Sequence, residues 1–338
     1  MSDKIRILAI ESSCDETSAS VVENGRKVLS LVTKTQISTH AEYGGVVPEI
    51  ASRMHVEAIS SLVRQALADA NMNDELPDAI AVTYGPGLVG ALLVGVSYAK
   101  AYAWGIGKPL IGVHHIHGHI AGNYLSHPEL EPPYLAMIVS GGHTQIIRVM
   151  EYDRFELLGS TIDDAAGEAF DKGARVLGLP YPGGKVMDVL ASKGNPAAFP
   201  FTRAKTKSPF DCSFSGLKTA LAQLIQNHDS DWIEANIEDI AASYQEAIID
   251  TLIRPLCSAI DQIGAPAVAI CGGVSANRGL RNQIQRIAEE KSLRYYLPDL
   301  VYCTDNAAMI GSAAYYLLQK GNTSDLTLNA VPYLELGT

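Results

Sequence analysis

Four of the nine histidines in this 338-residue chain lie within six positions, at His114, His115, His117 and His119. The apolar run of residues 109–113 predicts a short buried strand just before them. If His115 opens a helix there, His119 lies one turn later on the same helical face. Two imidazoles on one face can share a divalent metal ion, and a polar strand end with capping histidines is the plainer alternative. The spacing of one histidine pair leaves both interpretations open, and the cluster of four histidines favours a metal. A complete site needs another ligand from elsewhere in the chain.

The missing ligand is sought among carboxylates at the starts of helices. Asp305 stands just before an apolar helical stretch near the end of the chain. An aspartate in that position normally caps the helix N-terminus. A carboxylate also suits a metal site that already holds two histidines. Asp305 is therefore predicted as either a helix cap or the third metal ligand.

Polar and glycine-rich turns supply further candidates. The turn at residues 11–17 includes Asp15 and Glu16, which can bind a cation, act as a base or simply be solvated. The Ser-Gly-Gly-His-Thr turn at 140–144 follows an apolar strand. Its backbone amides can converge on an anion, although Gly-Gly is also a common plain hairpin turn. A third turn, Gly-Gly-Val-Ser-Ala-Asn at 272–277, is suited to an adenosine moiety.

An acidic helix follows the second of these turns. Asp164 and Asp171 share one face of a helix predicted from about Ile162 to Leu177. Most such faces are solvated and carry ordinary ion pairs between residues four apart. In the functional interpretation, Asp171 accepts hydrogen bonds from ribose hydroxyls. The Pro-Gly-Gly sequence at 182–184 and Asp188 would then close the pocket.

One stretch combines cations with aromatic rings. Between positions 193 and 218 the chain interleaves four phenylalanines with four basic residues: Phe199, Phe201, Arg203, Lys205, Lys207, Phe210, Phe214 and Lys218. Aromatic stacking together with cations is how irregular RNA is held, so the stretch is a candidate RNA contact. A loop that packs its phenylalanines on the protein is an equal alternative.

Composition restricts the class of protein. The chain is 47% hydrophobic and 19% charged, which is ordinary for a globular enzyme, and its length predicts two domains. A net charge of −11 argues against binding nucleic acid unaided, because such binding rests on Lys and Arg. The five scattered cysteines include no CxxC pair, so we expect a reducing compartment. No apolar run reaches the roughly 20 residues of a membrane span.

The predicted elements repeat along the chain. Strand signals, the Asn24-Gly25 hairpin signal and two helices give the first lobe the order β-β-β-α-β-α-β. The same order recurs from Tyr134. We therefore predict an α/β protein with two duplicated β-β-β-α-β-α lobes around a central cleft. The lobes are assigned to residues 1–113 plus about 305–330, and to residues 114–304 with an irregular insert near 180–215. A doubly wound sheet with an unrelated second domain is the alternative, which the opening meander disfavours.

Nine short motifs occur in order along nearly the whole chain. They are Ile-Glu-Ser-Ser-Cys-Asp-Glu-Thr at 10–17, Gly-Gly-Val-Val-Pro-Glu at 44–49, Gly-Pro-Gly-Leu at 85–88, His-Ile-His-Gly-His at 115–119, Val-Ser-Gly-Gly-His-Thr at 139–144, Ile-Asp-Asp-Ala-Ala-Gly-Glu-Ala-Phe-Asp at 162–171, Tyr-Pro-Gly-Gly at 181–184, Ser-Phe-Ser-Gly-Leu-Lys at 213–218 and Gly-Gly-Val-Ser-Ala-Asn at 272–277. In this set the chain resembles the TsaD family, the bacterial tRNA adenosine threonylcarbamoyltransferases. It departs from the family pattern at Lys185, where proline usually follows the glycine that matches Gly184.

The resemblance implies an actin-like (ASKHA) fold and a group-transfer reaction. The family transfers the threonylcarbamoyl group of threonylcarbamoyl-AMP to the exocyclic amine of the adenosine beside the anticodon, and AMP leaves. The acceptor tRNAs read codons that start with A. Position by position, His115, His119 and Asp305 would hold one divalent metal, with Fe²⁺ expected before Zn²⁺. Glu16, with Asp15 second, would take the catalytic acid–base role.

The resemblance also implies a donor site and partners. The substrate-binding positions would be Val139, Ser140, Gly141, Gly142, His143, Asp171, Gly184, Asp188 and Asn277. TsaB-like and TsaE-like helper proteins are implied, and the acidic charge fits a chain that needs help to hold tRNA. We expect a cytoplasmic, metal-dependent acyltransferase of tRNA processing with no membrane partner.

Three other classes of function share some of these features. An actin-like ATPase or kinase-type phosphotransferase would use the same glycine-rich turns on ATP, but it has no need for the histidine cluster. A zinc protease of the HEXXH type needs a glutamate beside the first histidine, where this chain has Ile116. A purely structural partner protein is the third class.

Overall fold

The computed structural model describes residues 4–336, which form two compact units. Unit 1 contains the residues up to Pro132, Met150–Phe155 and the residues from Pro298 onward. Unit 2 contains Pro133–Val149 and Glu156–Leu297. Residues 114–132 were predicted in the second lobe but lie in unit 1, because their helix packs on the C-terminal helix of that unit.

Unit 1 is built on a five-stranded sheet. Its elements up to residue 132 are β1 (Arg6–Glu11), β2 (Glu16–Glu23), β3 (Lys27–Thr35), α1 (Ile37–Ala41), α2 (Pro48–Asp69), β4 (Ala79–Gly85), α3 (Val89–Ile106), β5 (Leu110–His114) and α4 (His115–Ser126). The strand order is β3-β2-β1-β4-β5, with an antiparallel meander at one side and parallel β1, β4 and β5 at the other. This confirms the predicted opening meander.

Unit 2 repeats this arrangement. Its elements are β6 (Tyr134–Val139), β7 (Thr144–Glu151), β8 (Arg154–Ser160), α5 (Ala166–Val176), α6 (Gly183–Ala191), α7 (Ser215–Gln226), α8 (Ser230–Ile263), β9 (Ala267–Cys271), α9 (Arg278–Glu290) and β10 (Arg294–Tyr296), except that the end of the β7–β8 hairpin, Met150–Phe155, belongs to unit 1. The strand order β8-β7-β6-β9-β10 matches that of unit 1 strand for strand. The predicted duplication is therefore present.

The C-terminal helix α10 (Ala307–Gln319) completes unit 1. It packs against β1, β2 and α4, while α2 and α3 pack against β2 and β4. β1 and β4 are consequently buried along almost their whole length. Strands covered on both faces need apolar residues throughout, which explains the continuous apolar runs of their sequences.

One predicted boundary in unit 2 is wrong. The helix predicted from Ile162 begins at Ala166, whose amide donates to Thr144 Oγ1 at 2.8 Å. The residues just before it turn, because Thr161 Oγ1 donates to the carbonyl of Asp164 at 2.6 Å. The region predicted as an irregular insert includes α6 and is irregular from residue 193 to residue 214.

Among residues 4–336, α3 alone is long and apolar enough to cross a membrane by length and composition. Its Leu92, Val96 and Ala99 are buried in the core of unit 1. Core helices of globular proteins pass the same test of length and composition. Packing in the core accounts for the apolar character of this face of α3.

Candidate active site and metal centre

The histidine cluster lies at the junction of β5 and α4. α4 begins at His115 directly after the strand, and the His114 ring caps it by accepting from the Ile116 amide at 3.1 Å. His115 and His119 then lie one turn apart on α4, with ring centroids 4.6 Å apart. Asp305, just before α10, completes a group whose ligand atoms all lie within 4.8 Å of one another. The structure thus brings together the three residues predicted as metal ligands.

The residues present fit a divalent metal ion. His119 is 1% exposed, and neither ring nitrogen makes a hydrogen bond. Its Nε2 lies 3.2 Å from Asp305 Oδ1, within ion-pair distance but without hydrogen-bond geometry. A buried nitrogen without a donor or acceptor is costly, and a metal ion would satisfy it. Two imidazoles and one carboxylate suit Fe²⁺ or Zn²⁺, and within residues 4–336 this is the one such group of three or more ligands.

Asp305 is available as a ligand because a different residue caps α10. The side chain of Asn306 accepts from the Met309 amide at 3.0 Å, so Asn306 is the N-cap. The interpretation of Asp305 as a helix cap is therefore wrong. Its carboxylate lies instead 3.4 Å from His115 Nε2 and 3.2 Å from His119 Nε2.

The charges around this group favour a cation. Burial opposes a charge on His115, but the Asp305 and Glu11 carboxylates outweigh it and raise the pKa of His115 to about 10. Burial opposes a charge on Asp305 as well, yet the two histidines hold its pKa well below its usual range. The group thus carries one positive charge beside its carboxylates, and a metal cation would replace that charge.

Of the predicted acid–base residues, Glu16 begins β2 in the same unit and Asp15 immediately precedes it. Burial first, then the charges of Asp305 and Asp15, raise the pKa of Glu16 to about 9. Asp15 is 8% exposed. Burial and the same carboxylates raise the pKa of the adjacent Cys14 thiol, so it stays protonated and unreactive.

Two buried histidines that the sequence analysis did not identify take part in hydrogen bonds around the start of β2. His55 of α2 lies 2.7 Å from Thr17 Oγ1 through Nδ1 and 2.9 Å from the Cys14 carbonyl through Nε2. Burial lowers the pKa of His55, so the ring is neutral. His40 similarly hydrogen bonds to Gln36, whose amide donates to the Asp15 carbonyl. The sequence feature that could have identified His40 and His55 is a histidine at a buried position of a helix.

Five of the donor-binding residues predicted in unit 2, at positions 139–143, form the end of β6 and the turn between β6 and β7. The Ser140 amide donates to the His143 carbonyl at 2.8 Å, and the His143 amide donates to Ser140 Oγ at 3.1 Å. A Cβ added at Gly141 or Gly142 would meet nothing within 4 Å, so that side of the turn is open. Val139 before the turn is fully buried.

Two other glycines lie in close contact with the backbone of this turn. Gly167, in the first turn of α5, donates its amide to the Ser140 carbonyl at 3.1 Å. A Cβ there would lie 2.7 Å from that oxygen. Gly272 has φ +92°, and a Cβ there would lie 2.5 Å from the Val139 carbonyl oxygen. Only residues without a side chain allow the β6–β7 turn, α5 and the β9 turn to approach this closely.

The other residues predicted to bind the threonylcarbamoyl donor form two groups, each held by a hydrogen bond. Asp171, one turn after Gly167 on α5, accepts from the Gly183 amide at 2.7 Å and so lies at the start of α6, beside Gly184. Asp188 of α6 accepts from Arg278 Nε at 2.7 Å. Asn277 precedes that arginine and is the N-cap of α9.

The basic–aromatic stretch is mostly core. Phe201 and Phe214 are 5% and 0% exposed, and Phe199 and Phe210 pack against the same cluster. Arg203 pairs with Asp250 at 2.8 Å. The prediction of aromatic stacking on RNA is therefore not supported by the packing, because the rings are committed to the core of unit 2.

Solved structures share this architecture at low sequence identity. HypF from T. kodakarensis matches with a TM-score of 0.65 and 14% identity, over 96% of this chain and 49% of that chain. Component A of (R)-2-hydroxyglutaryl-CoA dehydratase from Acidaminococcus fermentans matches with a TM-score of 0.53 and 15% identity, over 92% and 98%. Together with the duplicated five-stranded sheets, these matches show the actin-like (ASKHA) fold, here with a histidine–carboxylate group in unit 1.

Full-length relatives narrow this class to one family. The family profile described as tRNA N6-adenosine threonylcarbamoyltransferase matches residues 27–312. Proteins of that name from Clostridium botulinum (strain Kyoto / Type A2) and Clostridium beijerinckii are 51% and 53% identical to this chain, over 99–100% of it and 99% of their own length. The chain belongs to the tRNA N6-adenosine threonylcarbamoyltransferase family. It is a transferase that acts on tRNA, and the phosphotransferase alternative is not favoured.

Proposed function

We propose that this chain transfers the threonylcarbamoyl group of threonylcarbamoyl-AMP to the exocyclic amine of the adenosine beside the anticodon. The acceptors are tRNAs that read codons starting with A. A bond forms between the adenine nitrogen and the carbamoyl carbon, and the bond from that carbon to the phosphate oxygen breaks. The amine loses one proton to solvent, and AMP leaves as its phosphate anion. The observation that carries the proposal is the group formed by buried His115 and His119 and partly buried Asp305 in a chain of this family.

We assign the donor to the β6–β7 turn of unit 2. Anions bind where backbone amides are exposed without side chains, and the open side of Gly141 and Gly142 supports that role. Asp171 and Asp188 are already tied to the Gly183 amide and to Arg278, so we assign them to shaping the pocket around the nucleoside. Gly184, Asn277 and the remaining turn residues complete this assignment.

We assign the metal to His115, His119 and Asp305, with Fe²⁺ preferred and Zn²⁺ second. When bound, the ion would supply Lewis-acid polarisation of the threonylcarbamoyl carbonyl. Glu16 is the proposed acid–base group. With its pKa raised to about 9, it holds a proton at neutral pH in the metal-free chain. An adenine amine is a weak nucleophile, so orientation contributes more than its deprotonation.

We infer that the chain works with helper proteins in the cytoplasm. Its net charge of −11 gives little attraction for tRNA phosphates. TsaB-like and TsaE-like proteins would supply the missing tRNA-binding surface. Lys205, Lys207 and Lys218 of unit 2 are exposed and would contribute a small attraction for tRNA phosphates.

The test supplies threonylcarbamoyl-AMP labelled in its threonine carbons to the chain, the two helper proteins and unmodified tRNA. We expect label in the precipitated tRNA, in step with release of AMP. A tRNA that already carries the modification is the control and should accept no label. Label that stays in small molecules with every set of partners would contradict the proposal.

A further inference from the structure

A fully buried carboxylate stands behind the histidine cluster. Glu11, the last residue of β1, is 0% exposed. Its Oε1 accepts from the Ser13 amide at 2.5 Å, and its Oε2 accepts from Thr83 Oγ1 at 2.5 Å. A charge buried without partners would be strongly unfavourable. These two donors compensate for the burial and hold the carboxylate in one orientation.

The held carboxylate faces one side of the His115 ring. Its Oε2 lies 3.3 Å from His115 Nδ1, and Ser13 Oγ lies 3.2 Å from the same nitrogen. The other ring nitrogen, Nε2, lies 3.4 Å from Asp305. The two nitrogens are therefore divided between Glu11 on one side and the proposed metal ligands on the other.

We propose that Glu11 is a positioning residue for the metal centre. By accepting from Nδ1–H of His115, it keeps the proton on Nδ1 when the ring is neutral, so that Nε2 carries the lone pair for the metal. Carboxylates that bind the outer nitrogen of a ligating histidine orient the ring and raise its basicity. The inference rests on the proposed metal site, and it adds a residue from β1 that does not touch the ion.

Ser13 alone does not explain this arrangement. Its hydroxyl can donate or accept, so it leaves the tautomer of His115 undetermined. Glu11 when ionised only accepts, so it requires the proton on Nδ1. Thr83 comes from β4, so the orientation is set by two strands at the centre of the unit 1 sheet.

The experiment titrates the metal-free full-length chain with Co²⁺ and records visible absorption, with no tRNA or donor present. Three variants are compared: Glu11→Gln, Glu11→Asp and, as a control, Ser20→Ala. Ser20 is equally buried in unit 1, but its Oγ donates to the Ser30 carbonyl at 2.6 Å. We expect Glu11→Gln to weaken Co²⁺ binding about 10- to 100-fold and to shift the absorption bands. The control should bind as the unaltered chain does.

The ranking of the variants by Co²⁺ affinity distinguishes a charged residue that orients His115 from a residue that only fills space. Aspartate keeps the charge but leaves space, whereas glutamine fills the space without charge. Our inference predicts Co²⁺ affinities in the order Glu, Asp, Gln. A purely structural role predicts that Gln is better tolerated than Asp, in affinity and in melting temperature. Equal Co²⁺ binding and equal spectra in the unaltered chain and Glu11→Gln would overturn the inference. If Glu11→Gln fails to fold, Glu11→Asp decides alone, and unchanged binding and spectrum overturn it.

Failure of the metal site itself gives a different result. If the unaltered chain takes up no Co²⁺, the proposed metal centre and this inference fall together. If the unaltered chain binds Co²⁺ and Glu11→Gln binds it equally well, only the role of Glu11 falls.

Discussion

Two histidines on one helix show how strongly surroundings decide a residue's role. His115 and His117 are two positions apart on α4, and both are buried. Burial lowers the pKa of each ring. His115 faces Asp305 and Glu11, which raise its pKa to about 10, whereas His117 packs against the Phe155 ring and has a pKa of about 4. The first suits a ligand site that attracts cations, and the second is a neutral core residue.

At the metal site we predict that Asp305→Asn reduces Co²⁺ affinity by more than about 100-fold, because it removes a ligand charge rather than an outer partner. Asp299→Asn is the matched control, an exposed aspartate of the same unit. The measurement is equilibrium dialysis followed by elemental analysis. Undiminished metal content in Asp305→Asn would show that the ion, if any, binds elsewhere.

At Glu16 we predict that Glu16→Gln lowers kcat for transfer by about 10²- to 10⁴-fold, the usual contribution of a general acid or base. Binding of tRNA should be unchanged, because the substitution is isosteric. Glu49→Gln is the control, since Glu49 is exposed and pairs with Arg53 on α2. Full transfer activity in Glu16→Gln would remove Glu16 from the mechanism.

The predicted metal ligands could be identified from the sequence, whereas the buried residues that hydrogen bond around them could not. His115 and His119 were found because their spacing is local, and Asp305 because a carboxylate before a helix stands out. Glu11 and His55 were missed because their partners are Thr83, His115 and Thr17, which only the folded sheet brings near. Local periodicity carries no information about such pairs.

At the scale of elements, α7 depends on a carboxylate from another segment. Asp163 accepts from Ser213 Oγ at 2.5 Å and from the Phe214 amide at 2.8 Å, and α7 has no side-chain cap of its own. Burial opposes the charge of Asp163, but these hydrogen bonds outweigh it and lower its pKa. The same aspartate was predicted inside α5, which explains why that helix begins later than expected.

We predict that Asp163→Asn destabilises the protein by about 1 kcal/mol at pH 7, as the loss of a helix cap does. A lowered folded-state pKa gives stability that is present above the unfolded pKa and lost as the pH falls through the folded one. The difference from the unaltered chain should therefore shrink below about pH 4. Melting temperatures across pH test this. Asp261→Asn is the control, an exposed partner of Lys291. A difference that persists unchanged at acid pH would contradict the capping role.

The close approach of α5 to the β6–β7 turn gives a second prediction at this scale. Gly167→Ala would place a Cβ 2.7 Å from the Ser140 carbonyl oxygen, which must shift. We expect destabilisation of about 1–3 kcal/mol and weaker binding of AMP by calorimetry. Gly216→Ala in α7 is the control, because a Cβ there meets nothing within 4 Å. Equal AMP binding in both variants would show that the β6–β7 turn does not contribute to binding the donor.

Elements with local signals were predicted correctly, and those fixed by distant contacts were not. The Asn24-Gly25 turn, the strands of both meanders and the start of α2 at Pro48 follow from the sequence itself. β10 has only three residues and was missed, because its pairing with β9 gives no pattern that can be read along the chain.

At the scale of the whole molecule, duplication and acidity are the dominant features. Each unit has the same strand order, and each contributes different predicted residues. The metal and acid–base residues lie in unit 1, and the donor residues lie in unit 2. The net charge of −11 predicts that the chain alone binds tRNA weakly, with affinity rising when helper proteins are added. Tight, partner-independent binding of tRNA in a filter assay at physiological salt would contradict this.

The identity of the modified nucleoside tests the central claim most directly. Two tRNA transcripts that differ only by adenosine or guanosine beside the anticodon are incubated with the chain, its helper proteins and threonylcarbamoyl-AMP. The digested nucleosides are then identified by mass spectrometry. We expect threonylcarbamoyladenosine from the adenosine transcript and no modified nucleoside from the other. Modification of both transcripts, or of neither, would contradict it.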